Sequence, residues 1–200
     1  MAMLKRFKGT KGMILLMIIV LLIVGYYYYL SHREIPQKED APSNVMTPVQ
    51  EVLARNLDTN YPQTPREVVK YFSEITKCFY NEELTEEDIT ALGKQIRKLY
   101  DDELVANQTE ETYLEQLKSD ILANHASEQT MISYTPSSSV DVESFSQDGY
   151  EWARLYCIYG IKQGILYNSN TVFVLRKDKE KHYKIFGWQL VPAEEEENQE

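Results

Sequence analysis

The alternation of apolar and polar positions divides the chain into unlike parts. Residues 12–30 (GMILLMIIVLLIVGYYYYL) run nineteen positions without a charge. As a helix at 1.5 Å per residue they would reach roughly 28 Å, close to the ~30 Å hydrocarbon core of a bilayer. The pattern predicts a transmembrane helix over 12–30, preceded by a basic leader (1–11). A polar linker (31–46), a folded domain (47–191) and an acidic, disordered tail (192–200) follow. Tyr26 to Tyr29 fit the aromatic belt at a membrane interface.

Within 47–191 the period is first helical and then alternating. Four threonines announce helices. Thr47-Pro48 reads as an N-cap followed by Pro at the first helical position, opening a helix to about Asn56. Thr64-Pro65-Arg66-Glu67 is a capping box, and Val68, Phe72, Ile75 and Phe79 follow it on one face. Thr85 precedes Glu86, Glu87 and Asp88, acids that suit a helix N-terminus, with Ile89, Leu92, Ile96 and Leu99 as the buried stripe and Arg97 and Lys98 near the end. Thr109 opens a fourth helix, with Leu114, Leu117, Ile121 and Leu122 inward.

After Ala126 strands are predicted at Thr130–Tyr134, Ser138–Phe145, Tyr150–Ile161, Thr171–Arg176 and His182–Leu190. A turn falls at Gln147-Asp148-Gly149, a polar loop at Lys162–Asn170 and a charged turn at Lys177–Lys181. Gly160 and Gly187 inside strands point to bends or bulges. Helices followed by an antiparallel meander make the fold class α+β.

Charge sets the orientation. Lys5, Arg6, Lys8 and Lys11 precede the apolar run, whereas all 31 Asp and Glu follow it. The positive-inside rule therefore predicts a cytoplasmic N-terminus and an extracellular C-terminal domain on a single-pass cell-membrane protein. A cleaved signal peptide fits less well, because bulky Tyr and Leu stand where small residues should precede cleavage. The acidic balance of the chain, −10 overall, argues against nucleic acid as a partner.

Candidate chemistry is sparse. Cys78 and Cys157 lie in apolar settings that suit buried free thiols, while a location outside the cytoplasm leaves a disulfide open. No CxxC or Cys/His cluster supports a metal, and no cofactor motif is present. A histidine at a helix end, as His125, has a sufficient reason in the helix dipole, and neither it nor His182 sits in a catalytic pattern. The aromatic strands are more informative. Alternation puts Trp152, Arg154, Tyr156 and Ile158 on one face, and Ala153, Leu155, Cys157 and Tyr159 on the other. If the first face is the covered one, Arg154 is a cation in an aromatic cup and calls for an anion. If it is the outer one, the arginine stem lies over the aromatics with its head in water. Trp152, Arg154, Tyr156, Tyr183 and Trp188 are the candidate pocket or interface.

The closing segment FVLRKDKEKHYKIFGWQL, with Tyr183-Lys184-Ile185 and Trp188, resembles the last hairpin of nuclear transport factor 2-like (cystatin-like) domains. That resemblance, over roughly residues 64–191, implies a cone of helices on a curved antiparallel sheet, a fold that hosts enzymes as well as binding modules and often dimerises through its sheet. The whole chain is also similar to uncharacterised single-span proteins of Clostridia-type Gram-positive bacteria. The similarity rests on the tyrosine-rich end of the apolar run, the segment Thr64 to Asn81 and the segment Asp148 to Tyr159. Together these features imply a membrane-tethered extracytoplasmic binding or accessory domain, with a protein partner or homodimer among the expectations. The alternative is a small-molecule enzyme using acid–base residues inside the cone.

Overall fold

A computed structural model describes residues 46–191, so the apolar run 12–30, the leader, residues 31–45 of the linker and the tail lie outside the described residues. Among the described residues five α-helices precede five strands: α1 (Pro48–Leu53), α2 (Pro65–Asn81), α3 (Glu86–Arg97), α4 (Asp102–Ala106), α5 (Glu110–Ala126), β1 (Thr130–Pro136), β2 (Glu143–Gln147), β3 (Tyr150–Gln163), β4 (Ile165–Lys177) and β5 (Tyr183–Val191). Among the described residues no helix is long and apolar enough to cross a membrane.

All four threonine caps form. Thr47, Thr64 and Thr85 close full capping boxes with Gln50, Glu67 and Asp88, and Thr109 accepts from the Thr112 amide. Each box satisfies two amides that the first helical turn leaves without partners. At Thr85 the carboxylate of Asp88 accepts from both the hydroxyl and the amide of the cap, which holds its pKa below the usual range.

The sheet is antiparallel in the order β1-β3-β4-β5, with β2 pairing the first half of β3 and β1 the second half. Asp148 and Gly149 both take positive φ between β2 and β3, the requirement of a two-residue type I′ turn, which the Asp-Gly pair meets. Gly160 lies opposite a register shift in β1, where a Cβ would fall 2.5 Å from the Ser133 hydroxyl. Gly187 adjoins the bulge that makes Phe186 the extra residue of β5.

Helix α2 is the spine of the core. Val68, Val69, Ile75, Cys78 and Phe79 are buried on it, facing Leu155, Cys157, Phe173, Leu175 and Ile185 of the sheet within one core cluster. Among the described residues that cluster runs from Val49 to Ile185, within the unit Met46–Glu200. The segment between α3 and α4 joins the sheet as well. The Ile185 amide donates to Leu99 O (2.8 Å) and the Asp101 amide to Ile185 O (2.9 Å), a short parallel bridge on the free edge of β5.

Several expectations are corrected. The strand predicted at Ser138–Phe145 is a 3-10 turn (Ser139–Asp141) followed by β2, because Ser138 and Val142 leave the ladder. The loop predicted at Lys162–Asn170 is the tip of the β3–β4 hairpin. Its backbone ladder runs to Gln163↔Ile165 around Gly164, and its side chains stand mostly beyond the core, so no apolar alternation marks it. The first helix ends at Leu53. Helix α4 is additional, capped by the Asp101 carboxylate. Leu122 is 61% exposed, and Ile121 alone is fully buried on α5, since that helix covers a cavity rather than solid core.

Candidate functional site

Between the helices and the inner face of the sheet lies a cavity of about 510 Å³. Its walls come from every layer: Phe72, Thr76, Phe79 and Tyr80 of α2; Arg97 at the end of α3; Tyr100; Leu104 and Val105 of α4; Tyr113, Leu117, Asp120 and Ile121 of α5. Tyr159, Thr171, Phe173, Trp188 and Leu190 supply the sheet side. Its size falls inside the range of small-molecule pockets, and its lining has their usual character, apolar with a few polar groups.

The aromatic floor is continuous. Phe72 packs edge-on to Phe173 (5.3 Å between centroids) and against Trp188 (5.5 Å), and Trp188 meets Tyr100 at 5.6 Å. The rings of Tyr100 and Tyr113 meet at right angles, 6.2 Å apart. The hydroxyls are held neutral: burial pushes the pKa of Tyr80, Tyr100, Tyr113 and Tyr159 above the ordinary tyrosine value. The Ser73 hydroxyl donates to Val69 O (2.8 Å), so the Tyr159 hydroxyl must be the donor in their 2.9 Å contact.

Arg97 is the cation of this cavity. Its Nη2 donates to Val105 O (2.9 Å) and Gln108 O (2.8 Å), and its guanidinium stands 5.3 Å from the Tyr113 ring centre. Its Nη1 is buried and has no hydrogen-bond partner. Asp120 sits on the exposed side of α5, beside Tyr80, whose pKa it helps to raise. Tyr113 and Asp120 are two helical turns apart on α5, roughly 10 Å at 1.5 Å per residue. Arg97 thus stands by Tyr113 and Asp120 by Tyr80.

The five residues singled out from the sequence divide between the two faces of the sheet. Trp188 enters the cavity, and Tyr183 packs against the core while its carbonyl accepts from the Tyr61 hydroxyl (3.0 Å). Trp152, Arg154 and Tyr156 lie on the outer face, where Arg154 is half exposed and pairs with Glu143 across the β2–β3 ladder (Nε to Oε2 2.8 Å). Arg154 is thus not the cation of an aromatic cup, because β3 turns its odd-numbered residues inward. Such a cup does exist, and Arg176 fills it. Its guanidinium lies 4.7 Å from the ring centre of Tyr150, 5.1 Å from Phe186 and 5.5 Å from Trp152, and its Nε donates to Asp101 (3.0 Å). These hydrogen bonds push the Arg176 pKa up.

His125 Nε2 donates to the carbonyl of Phe79 (2.9 Å) and ties α5 to α2. His182 stacks on Tyr61, 4.4 Å between centroids. Asp178, Glu180 and His182 bring potential ligand atoms within 4.8 Å of one another on the β4–β5 turn. There Asp178 Oδ1 already accepts the amides of Glu180 and His182 and so serves the turn. Cys78 and Cys157 are free and buried, and burial raises both thiol pKa values, Cys78 to about 11.

An antiparallel sheet covered on one face by helices, with an apolar, hydroxyl-lined cavity between the layers, defines an α+β domain built around an internal pocket. The model of a family described as domain of unknown function DUF6715 matches residues 1–188, and the chain belongs to that family. No curated protein matches it.

Proposed function

We propose that this protein is a membrane-tethered extracytoplasmic binding domain that holds a mostly apolar small molecule between its helices and its sheet. The observation that carries the reading is the 510 Å³ cavity, walled by Phe72, Leu117, Ile121, Phe173 and Trp188. Its tyrosine hydroxyls are held protonated, which favours holding a ligand over transferring protons at neutral pH, since a general base works best with a pKa near the ambient pH. The order of elements, the long strands and the bulges beside Gly160 and Gly187 support a cone-shaped, nuclear transport factor 2-like arrangement. The family match begins at residue 1 and so includes the apolar run. That run, preceded by four basic residues and no acid, supports a single span with the domain outside, as in the single-span Gram-positive proteins that the sequence resembles.

Binding of dodecan-1-ol to the unit Met46–Glu200, followed by calorimetry and by the fluorescence of Trp188, tests the pocket. Saturable one-to-one binding that is lost on Leu117→Trp, which fills the cavity, is the expected result. Absence of binding by alcohols from eight to sixteen carbons would refute the reading.

A second reading, a partner-binding or self-associating domain, draws on the outer face. There Phe145, Tyr156 and Ile158 are exposed, and a shallower hollow of about 400 Å³ opens between Phe145, Trp152, Val174 and Phe186. Sedimentation of the unit as a monomer at high concentration would remove the homodimer form of that reading.

A further inference from the structure

Resting on the pocket reading above, we infer that the ligand is a monoanionic amphipath, an aliphatic chain ending in a carboxylate, with its head against Arg97 and its tail among Phe72, Leu117 and Phe173.

Three observations lead there. First, Arg97 is half satisfied. Nη2 serves the carbonyls of Val105 and Gln108, while Nη1 is buried with no partner. A charged donor withheld from water and left unpaired is destabilising, and a carboxylate is the acceptor that offsets most of that cost, because charge-assisted hydrogen bonds are about twice as strong as neutral ones. Among the described residues no carboxylate is paired with Arg97, although Lys94 and Lys98, on either side of it in sequence, pair with Glu110 and Asp58. Second, the cavity has a direction. Tyr100 and Tyr113 stand beside Arg97 hydrogen-bonded to each other, Tyr100 donating, which leaves the Tyr113 hydroxyl to donate to an anion, and the carboxylate of the lining, Asp120, is exposed and two turns further along α5. An anionic head is attracted at one end and repelled at the other, which fixes which way the chain enters. Third, the remaining lining between these ends is predominantly apolar and aromatic, so the ligand needs one polar terminus and no more. The protein as a whole is acidic, so long-range attraction does not collect anions. Recognition has to come from a local cation, and Arg97 is one whose Nη1 is withheld from solvent.

The test compares dodecanoate with dodecan-1-ol on the unit Met46–Glu200. Dodecanoate should bind about tenfold or more tightly, the effect of one charge-assisted contact. Arg97→Gln should remove that preference, leaving acid and alcohol within about twofold of each other. Because Arg97 also braces the α4–α5 connection, a second measurement on the unaltered protein stands beside the variant. Carboxyl-13C dodecanoate, titrated while bound, should keep its carboxylate ionised below the pH at which the free acid protonates. Equal affinities for acid and alcohol, or a bound carboxyl that titrates as in water, would overturn the inference and leave the pocket reading standing. Failure of both ligands to bind would overturn the pocket reading and this inference together.

Discussion

The pair Asp101–Arg176 offers the sharpest test of how the layers are held together. Both side chains are withdrawn from water, 5% and 12% exposed, and the guanidinium donates through Nε to Oδ2 at 3.0 Å. Tyr150, Trp152 and Phe186 enclose it. Asp101→Asn removes the charge and turns one of the two oxygens that face the guanidinium into a donor, while the remaining amide oxygen can still accept the Glu103 amide and keep the cap of α4. What remains is a guanidinium in an aromatic cup, with Glu103 as its other acid at 2.7 Å on the exposed side. Breaking a buried pair from one side costs about 3–5 kcal/mol, and the surviving Glu103 contact places this case near the lower end. Against a domain stability of roughly 5–15 kcal/mol, that is a large fraction. Urea unfolding followed by circular dichroism measures it, with Arg176→Met and the double variant completing a thermodynamic cycle. Methionine suits a cup of rings, so the double variant should be clearly more stable than the sum of the single losses predicts. A loss under about 1 kcal/mol for Asp101→Asn, or simple additivity, would show that the pair is not a structural tie. The site should feel the change too, because the Asp101 side chain ties the strip that carries Tyr100 to Arg176 of β4.

Two further outcomes follow from local physics. Thr64→Ala should cost about 1 kcal/mol in the same unfolding assay, since it opens the capping box of the helix that carries most of the core. The Cys78 thiol is raised by burial from 9.0 to about 11, so folding favours its protonated form. The associated stability is complete below pH 9 and is lost as the pH rises toward 11. It amounts to about 2–3 kcal/mol over that window, and Cys78→Ala should flatten the alkaline limb of a stability-against-pH curve.

The helices were legible because their signals are local. A threonine N-cap, a proline at the first position and an acid three residues on satisfy amides within one turn, whatever packs outside, and each of the four predicted starts coincides with a formed cap. The core strands were legible for a similar reason, since β3 buries alternate residues from Ala153 to Tyr159. The hairpin tip was not. From Lys162 to Asn168 the ladder is closed by backbone groups while the side chains are exposed, and an exposed ladder imposes no pattern on the residues it carries. Helix α4 is one short turn whose cap, Asp101, also has a partner 75 residues away, a relation that no window along the chain contains.

Three arginines show where the reading of the site stops being local. Arg154 looked special because its neighbours on one strand are Trp152 and Tyr156, yet that face looks outward and Glu143, brought beside it by the β2–β3 turn, pairs with it in water. Arg176 stands in an unremarked Leu-Arg-Lys, yet register places it beside Trp152, and a bulge at Phe186 lets it reach over β5 to Asp101. Arg97 had a complete explanation from sequence, a cation in the last turn of a helix. The structure departs from it: Nη2 binds Val105 O at the end of α4 and Gln108 O of the α4–α5 connection, and Nη1 has no acceptor among the described residues. The same residue type with the same charge is thus a surface partner, a buried tie and an unfilled donor beside a cavity. What separates the three is the number of acceptors that distant elements bring within about 3 Å. Of the three, Arg97 alone has a buried donor without a partner among the described residues, and so a hydrogen-bonding group to spare for a ligand.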